Sequence, residues 1–162
     1  MGSLAATGAA GPLGHVIEGT PRLRLQPTMR IRPALQRGVG DAPVALVRMS
    51  LGDDGRLLRE ARRLGYRGVV IEGMGAGHVP APIAPIVGDL VQSMPVVLAS
   101  RVHAGPTFTS TYGFAGSETD LLRRGAVAAG DLSGLKARLL LSLLLRADAD
   151  RATIEQAFSA YR

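Results

Sequence analysis

Four short apolar segments, separated by stretches with helical spacing, follow residue 42 and limit the folds that this chain can adopt. The four segments are residues 44–49, 68–72, 95–99 and, more weakly, 126–129. Strands that are apolar on both faces and that alternate with helices are typical of a parallel sheet covered by helices on both sides. The pattern therefore predicts an α/β domain with four parallel strands, but it does not predict the order of the strands.

Apolar stripes and capping residues place the helices. A first helix ends at Gly65, a second runs over residues 83–91, and Ser117-Glu118-Thr119-Asp120 resembles a capping box that opens a short third one. Two more helices are predicted over residues 133–146 and 150–161. The expected core positions of the first and fourth helices are Leu57, Leu58, Ala61 and Leu64, then Leu135, Leu139, Leu143 and their neighbours.

The first 42 residues follow another pattern. Residues 1–13 are rich in Gly and Ala without periodicity, and we expect them to fray. Residues 22–31 alternate apolar residues with arginine, which predicts half-exposed strands whose apolar face nothing nearby in sequence could cover. Residues 34–42 are predicted to form a linker. We therefore divide the chain into a flexible segment with a linker, residues 1–42, and a folded domain, residues 43–162.

Composition excludes several classes of function. There is no cysteine, hence no thiolate metal site and no cysteine nucleophile, which fits a reducing compartment. No secretory signal is visible and no apolar stretch is long enough to span a bilayer, so we predict a cytoplasmic protein without a membrane partner. The formal charge is +6, but the arginines near the amino terminus lie beside Pro and Gly, and aromatic residues are scarce. We predict no nucleic-acid partner.

The glycine turn at residues 73–78 is the most informative motif. It follows a buried strand, and irregular backbone at the carboxyl end of a parallel strand is where such sheets bind ligands, especially where the strand order reverses. A dinucleotide fingerprint fails because His78 stands where its last glycine should be. Phosphate-loop, serine-hydrolase and zincin motifs are absent too, so we predict no cofactor. The glycines suit either a carboxylate ligand or simply a tight turn.

Several side chains near this turn have both a structural and a functional interpretation. His78 and His103 either cap backbone groups or face solvent, or they share one edge of the sheet as a site. Glu72 is either a buried acid held by turn amides or a carboxylate that faces a ligand. Most of the hydroxyls between Thr107 and Tyr112 are expected to be loop hydrogen-bonders. No ligand spacing supports an independent acid/base or metal site built from these groups, so we predict no metal.

Three blocks in this order resemble the carboxy-terminal domain of the bacterial L-asparaginase and glutaminase family: residues 65–78, 95–101 and 135–139. Gly11-Pro12-Leu13-Gly14 resembles the last piece of that family's amino-terminal domain, which makes residues 1–42 a remnant of it. The resemblance covers residues 11–161. It implies a small, doubly wound, Rossmann-like domain with a four-stranded parallel sheet.

The same resemblance implies which residues touch substrate. In the family the nucleophilic threonine belongs to a Thr-Gly-Gly-Thr motif in the first domain, and that motif is absent here, so we assign no catalytic residue. The second domain holds the amino-acid head group through the glycine turn and the following loop. This implies substrate-binding roles for Gly77, His78 and Tyr112, although periplasmic members have asparagine at the position of His78 and a carboxylate near that of Tyr112.

Two functional hypotheses follow. The first is the carboxy-terminal portion of an asparaginase-type amidohydrolase, inactive alone, which binds asparagine or a related amino acid within a homo-oligomer or with an asparaginase amino-terminal domain. The alternative is a stand-alone binding or oligomerisation module without catalysis, since the strands of residues 22–31 would present unpaired edges and apolar side chains.

Overall fold

The computed structural model describes residues 2–3, 12–26, 38, 40–102 and 105–162. Near the amino terminus, strands β1 (Gly2–Ser3), β2 (Gly14–Ile17) and β3 (Thr20–Leu23) form an antiparallel sheet in that order. Strand β1 lies where the sequence predicts no regular structure. Strand β3 covers the first part of the predicted alternating segment and is exposed, as are Leu23 and Leu25. Met29 and Ile31 lie outside the described residues.

The main sheet contains four parallel strands, β4 (Val44–Arg48), β5 (Gly68–Gly73), β6 (Val96–Ser100) and β7 (Val127–Ala128). The order in space is β4-β5-β6-β7, and each neighbouring pair is parallel. All four strands coincide with predicted apolar segments. The order follows the chain without a reversal among these strands, so the glycine turn lies at a strand end but not at a switch point.

Helices cover both faces of this sheet, which confirms the predicted class, a Rossmann-like α/β domain with four parallel strands. The helices are α1 (Arg56–Glu60), α2 (Ala84–Val91, after a 3₁₀ turn at Ala81–Ile83), α3 (Glu118–Arg123), α4 (Gly134–Arg146) and α5 (Arg151–Ser159). Helices α1 to α3 share one apolar core with the sheet, and α4 and α5 share the other. Within the described ranges, every helix falls short of the length and apolar character needed to cross a bilayer.

The buried faces of two helices differ from prediction. On α4, Leu135 and Leu139 are 68% and 62% exposed. The helix instead buries Ala137, Leu140, Leu141, Leu144 and Leu145. A segment with leucine at most positions has apolar residues almost all round, so periodicity does not determine which side meets the sheet. The α-helical part of α1 ends early, at Glu60, and Leu57 and Leu64 are exposed.

The predicted cap at the start of α3 is present, but its second bond reaches Gly116, one residue before the N-cap Ser117. The Ser117 hydroxyl accepts a hydrogen bond from the Asp120 N–H at 3.3 Å. The Asp120 carboxylate accepts one from the Gly116 N–H at 2.9 Å and one from the Arg124 guanidinium at 3.0 Å. The first of these bonds satisfies an amide that a helix start leaves without an intrahelical partner, and the other two tie the preceding loop and the next turn to the same carboxylate.

Strand β4 is an outer strand of the sheet, and side chains of α4 reach its open edge. The Pro43 carbonyl accepts from the Arg67 N–H beside β5, so the carbonyls of Ala42 and Val44 point the other way. Arg138 donates to the Val44 oxygen at 2.7 Å, and the Ser142 hydroxyl donates to the Ala42 oxygen at 3.0 Å. Two of the outward carbonyls at the start of this edge are thus bonded within the chain.

Candidate functional site

The glycine turn closes directly beyond β5, at the carboxyl edge of the sheet. Met74 and His78 exchange backbone hydrogen bonds of 2.7 and 2.8 Å, and the Gly77 N–H donates to the Met74 oxygen at 3.0 Å. Gly75 and Gly77 have φ angles of 51° and 115°, where a side chain would be strained. The glycines are therefore required by the tight turn itself, which projects His78 from its end.

Backbone bonds fix this turn against the loop that follows β6. The Phe108 N–H donates to the Ala76 oxygen at 3.0 Å, and the Val79 N–H donates to the Gly116 oxygen at 2.9 Å. The Ser100 hydroxyl, at the end of β6, donates to the Gly75 oxygen at 2.5 Å. Two connections that leave adjacent strands are thus held together on one edge of the sheet.

Three rings meet where the turn contacts the loop. The imidazole of His78 lies edge-on to Tyr112 and to Phe114, with centroid distances of 4.8 and 4.9 Å. Tyr112 and Phe114 are exposed, whereas the His78 side chain is 20% exposed. The structure therefore brings together all three residues that the sequence singled out for binding, because Gly77 precedes His78 in the same turn. Phe114 joins them without having been predicted.

A buried carboxylate lies behind His78. Glu118, the first residue of α3, is fully buried. Its Oε2 lies 3.1 Å from His78 Nε2, and its Oε1 accepts hydrogen bonds from the N–H groups of Thr111 and Tyr112 at 2.9 and 2.7 Å. Glu118 therefore links the glycine turn, the loop and α3 through one side chain.

The surroundings of Glu118 favour its ionised form. Burial alone would raise the pKa of this carboxyl group. The hydrogen bonds from the backbone N–H groups of Tyr112, of Glu118 itself and of Thr111, with that from His78, outweigh burial and lower the pKa below its ordinary value. The site thus contains a buried anion at neutral pH.

Sequence reasoning missed Glu118 as a site residue because Ser117 and Asp120 explain the segment as a helix cap. The resemblance places Tyr112 near the position where periplasmic members of the family have a carboxylate, and Glu118 is the carboxylate that the structure places beside His78. An acidic residue at the first position of a helix that follows a long loop is the signal that could have identified it.

Glu72 does not join this group. It is buried and accepts a hydrogen bond from Arg48 Nε at 2.8 Å, and the backbone of Gly134 packs closely against its side chain. Glu72 is therefore a buried acid, as one of the two interpretations predicted, but its partner is the Arg48 guanidinium rather than turn amides. His103 lies outside the described residues. Within the described ranges no cluster of His, Asp and Glu could hold a metal ion.

The arrangement offers binding chemistry. It presents an imidazole hydrogen-bonded to a carboxylate, a backbone turn that a ligand could approach closely, and two exposed ring faces. Within the part of the chain that the structure describes, no hydroxyl is hydrogen-bonded to His78, so the geometry contains no paired nucleophile and base of the kind used in acyl transfer.

Substitutions at two glycines of the turn are expected to differ in cost. A Cβ added at Gly73 would lie 2.5 Å from the Gly77 carbonyl carbon, so Gly73→Ala must force the turn open and is expected to cost about 2–3 kcal/mol. Gly75→Ala meets no atom within 4 Å and carries only the strain of its positive φ, about 1 kcal/mol. Urea unfolding of both variants measures the difference, and equal losses would contradict the turn geometry.

Comparison with known proteins identifies relatives. The sequence model of the glutaminase/asparaginase C-terminal domain matches residues 43–158. A probable L-asparaginase of Deinococcus radiodurans is 41% identical over 92 residues, which are 57% of this chain and 28% of that protein. An L-asparaginase of Bacillus licheniformis is 38% identical over 103 residues, 63% of this chain and 32% of that protein. A glutamyl-tRNA(Gln) amidotransferase subunit of Halobacterium salinarum is 33% identical over 145 residues, 88% of this chain and 32% of that protein. Each match spans under a third of the relative's length.

Proposed function

Because the chain belongs to the glutaminase/asparaginase C-terminal domain family, we propose that it acts as the carboxy-terminal portion of an asparaginase-type amidohydrolase. The complete enzyme would hydrolyse L-asparagine with one water molecule to L-aspartate and ammonia. This chain would contribute substrate-binding residues and contacts between subunits, and it would act in the cytoplasm, with which the absence of cysteine is compatible.

The observation that carries this proposal is the His78–Glu118 pair at the mouth of the glycine turn. A half-buried imidazole with a carboxylate behind it, framed by exposed Tyr112 and Phe114, suits a small polar ligand whose outer side is covered by another protein surface. We assign the binding of the amino-acid head group to His78, to the backbone at Gly77 and to the ring of Tyr112.

The nucleophile would come from outside this chain. None of its threonines lies beside paired glycines, so the Thr-Gly-Gly-Thr motif must be supplied by an asparaginase amino-terminal domain, in a homo-oligomer or in a partner. The purified chain is accordingly expected to release no ammonia from asparagine.

A chimera tests the proposal. Residues 43–158 would replace the matching domain of the Bacillus licheniformis L-asparaginase. We expect the chimera to release ammonia from asparagine, and we expect His78→Ala to raise KM at least tenfold. Glu155→Ala, which changes an exposed glutamate of α5, serves as the control and should leave KM unchanged. A folded chimera without activity, or one that His78→Ala does not affect, would overturn the proposal, as would ammonia release by the chain alone.

The alternative, a stand-alone binding or oligomerisation module, draws support from exposed apolar side chains on two elements. Leu23 and Leu25 are exposed on and beside β3, and Leu135 and Leu139 are exposed on α4. Analytical ultracentrifugation and thermal unfolding, each with and without aspartate, distinguish this candidate. A monodisperse monomer whose melting temperature does not respond to aspartate would count against it.

A further inference from the structure

Glu118 cannot itself contact a ligand in this structure. The residue is fully buried, one carboxylate oxygen accepts from two backbone N–H groups, and the other lies within hydrogen-bond distance of His78. Any effect of this anion on a bound molecule must therefore pass through the imidazole.

The pair also determines which ring nitrogen carries the proton. An ionised carboxylate only accepts hydrogen bonds, so the 3.1 Å contact requires a hydrogen on His78 Nε2. In the neutral ring the other nitrogen, Nδ1, is then an acceptor. Nδ1 makes no hydrogen bond to any residue that the structure describes. The edge-on contacts with Tyr112 and Phe114 restrict rotation of the ring away from this arrangement.

We propose that Glu118 is a positioning residue that holds His78 in the Nε2–H tautomer, so that Nδ1 is presented as a hydrogen-bond acceptor to an N–H group of the ligand. The identity of the ligand, an amino acid, rests on the proposed function. The tautomer does not, since it follows from contacts within this chain.

Glutamine at position 118 should reverse the tautomer. The amide oxygen of Glu118→Gln is the only atom of the new group that can accept from the N–H groups of Thr111 and Tyr112, so its NH₂ must face His78. An NH₂ group donates, and His78 Nε2 would then have to accept. The expected result is a change from the Nε2–H to the Nδ1–H form without a change in the size of the side chain.

Nitrogen-15 NMR of the imidazole side chains of the whole chain tests this. The chain has three histidines, His15, His78 and His103, and the His78 signals are assigned by their loss in His78→Asn. For the neutral ring, we expect Nε2–H for His78 in the wild type and Nδ1–H in Glu118→Gln. Asp120→Asn is the matched control, because it changes another acid in the first turn of α3, one that bonds Gly116 and Arg124 rather than His78. It should leave the His78 tautomer unchanged.

Two results would overturn the proposal: Nδ1–H in the wild type, or Nε2–H retained in folded Glu118→Gln. If Glu118→Gln does not fold, the wild-type spectrum still decides whether the tautomer is correct. In the active chimera, Glu118→Gln is expected to raise KM at least fivefold with little change in kcat, and an unchanged KM would remove the ligand part of the proposal. An inactive chimera with the expected tautomer would contradict the proposed function and leave the tautomer standing.

Discussion

Replacing Glu118 with alanine is expected to lower the free energy of unfolding by about 3–5 kcal/mol, since it leaves the N–H groups of Thr111 and Tyr112 without partners and removes the charged bond to His78. Urea unfolding with linear extrapolation measures this loss. Glu155→Ala is the control, because Glu155 is an exposed glutamate that pairs with Arg151 across one turn of α5, and it should change stability very little. A loss at Glu118 no larger than that of the control would show that the buried carboxylate does not hold the site together.

Acid should reduce the difference between wild type and Glu118→Ala. The pKa of Glu118 is lowered in the folded chain, so in acid the unfolded chain binds more protons than the folded chain does. The free energy of unfolding therefore decreases as the pH falls. The contribution of Glu118 is complete above the ordinary glutamate pKa, about 4.3, and is lost as the pH falls through the lower pKa of the folded state. Urea unfolding of wild type and Glu118→Ala, repeated between neutral pH and pH values below about 4, shows whether their difference in stability shrinks in acid. A difference that widened in acid would mean that the folded chain holds this carboxyl group protonated.

Leu141→Ala is expected to cost about 3–4 kcal/mol, whereas Leu139→Ala on the same helix should cost under about 0.5 kcal/mol. Leu141 is fully buried against the sheet, and Leu139 is 62% exposed. The two substitutions remove the same atoms from helix positions two residues apart, so their difference in helix propensity cancels. Thermal and urea unfolding of the pair measures the orientation of α4 directly. A larger loss at Leu139 would indicate that the helix packs on the face that the sequence pattern favoured.

The strands could be predicted because their sequences have only one plausible environment. Residues 68–73 and 96–100 are buried along their whole length, and β-branched residues that are apolar on both faces fit a covered parallel sheet. The faces of α4 could not be predicted in the same way. Seven of the 13 residues of α4 are leucine, so the choice of the buried side depends on how the helix lies across the sheet, which is a property of the assembled domain.

The candidate site shows the same division. His78 and Tyr112 are named together because of the resemblance to the family, whereas the shared edge of the parallel strands predicts a meeting of His78 with His103. The role of Glu118 depends on a contact between residues 40 positions apart and on the path of the intervening loop. The residues around Glu118 are fully explained as the start of a helix, and nothing nearby in the chain indicates a further role for this glutamate.

The bonds from Arg138 and Ser142 to the outer carbonyls of β4 have a consequence for solubility. An outer strand with free carbonyls is a template on which strands of other molecules can add, and repeated addition leads to fibrous aggregates. Here the Val44 and Ala42 oxygens are already bonded to side chains of α4. Strand addition at the start of β4 is therefore disfavoured, and the domain can expose the carboxyl edge of the sheet for recognition while this part of its side is less open to polymerisation.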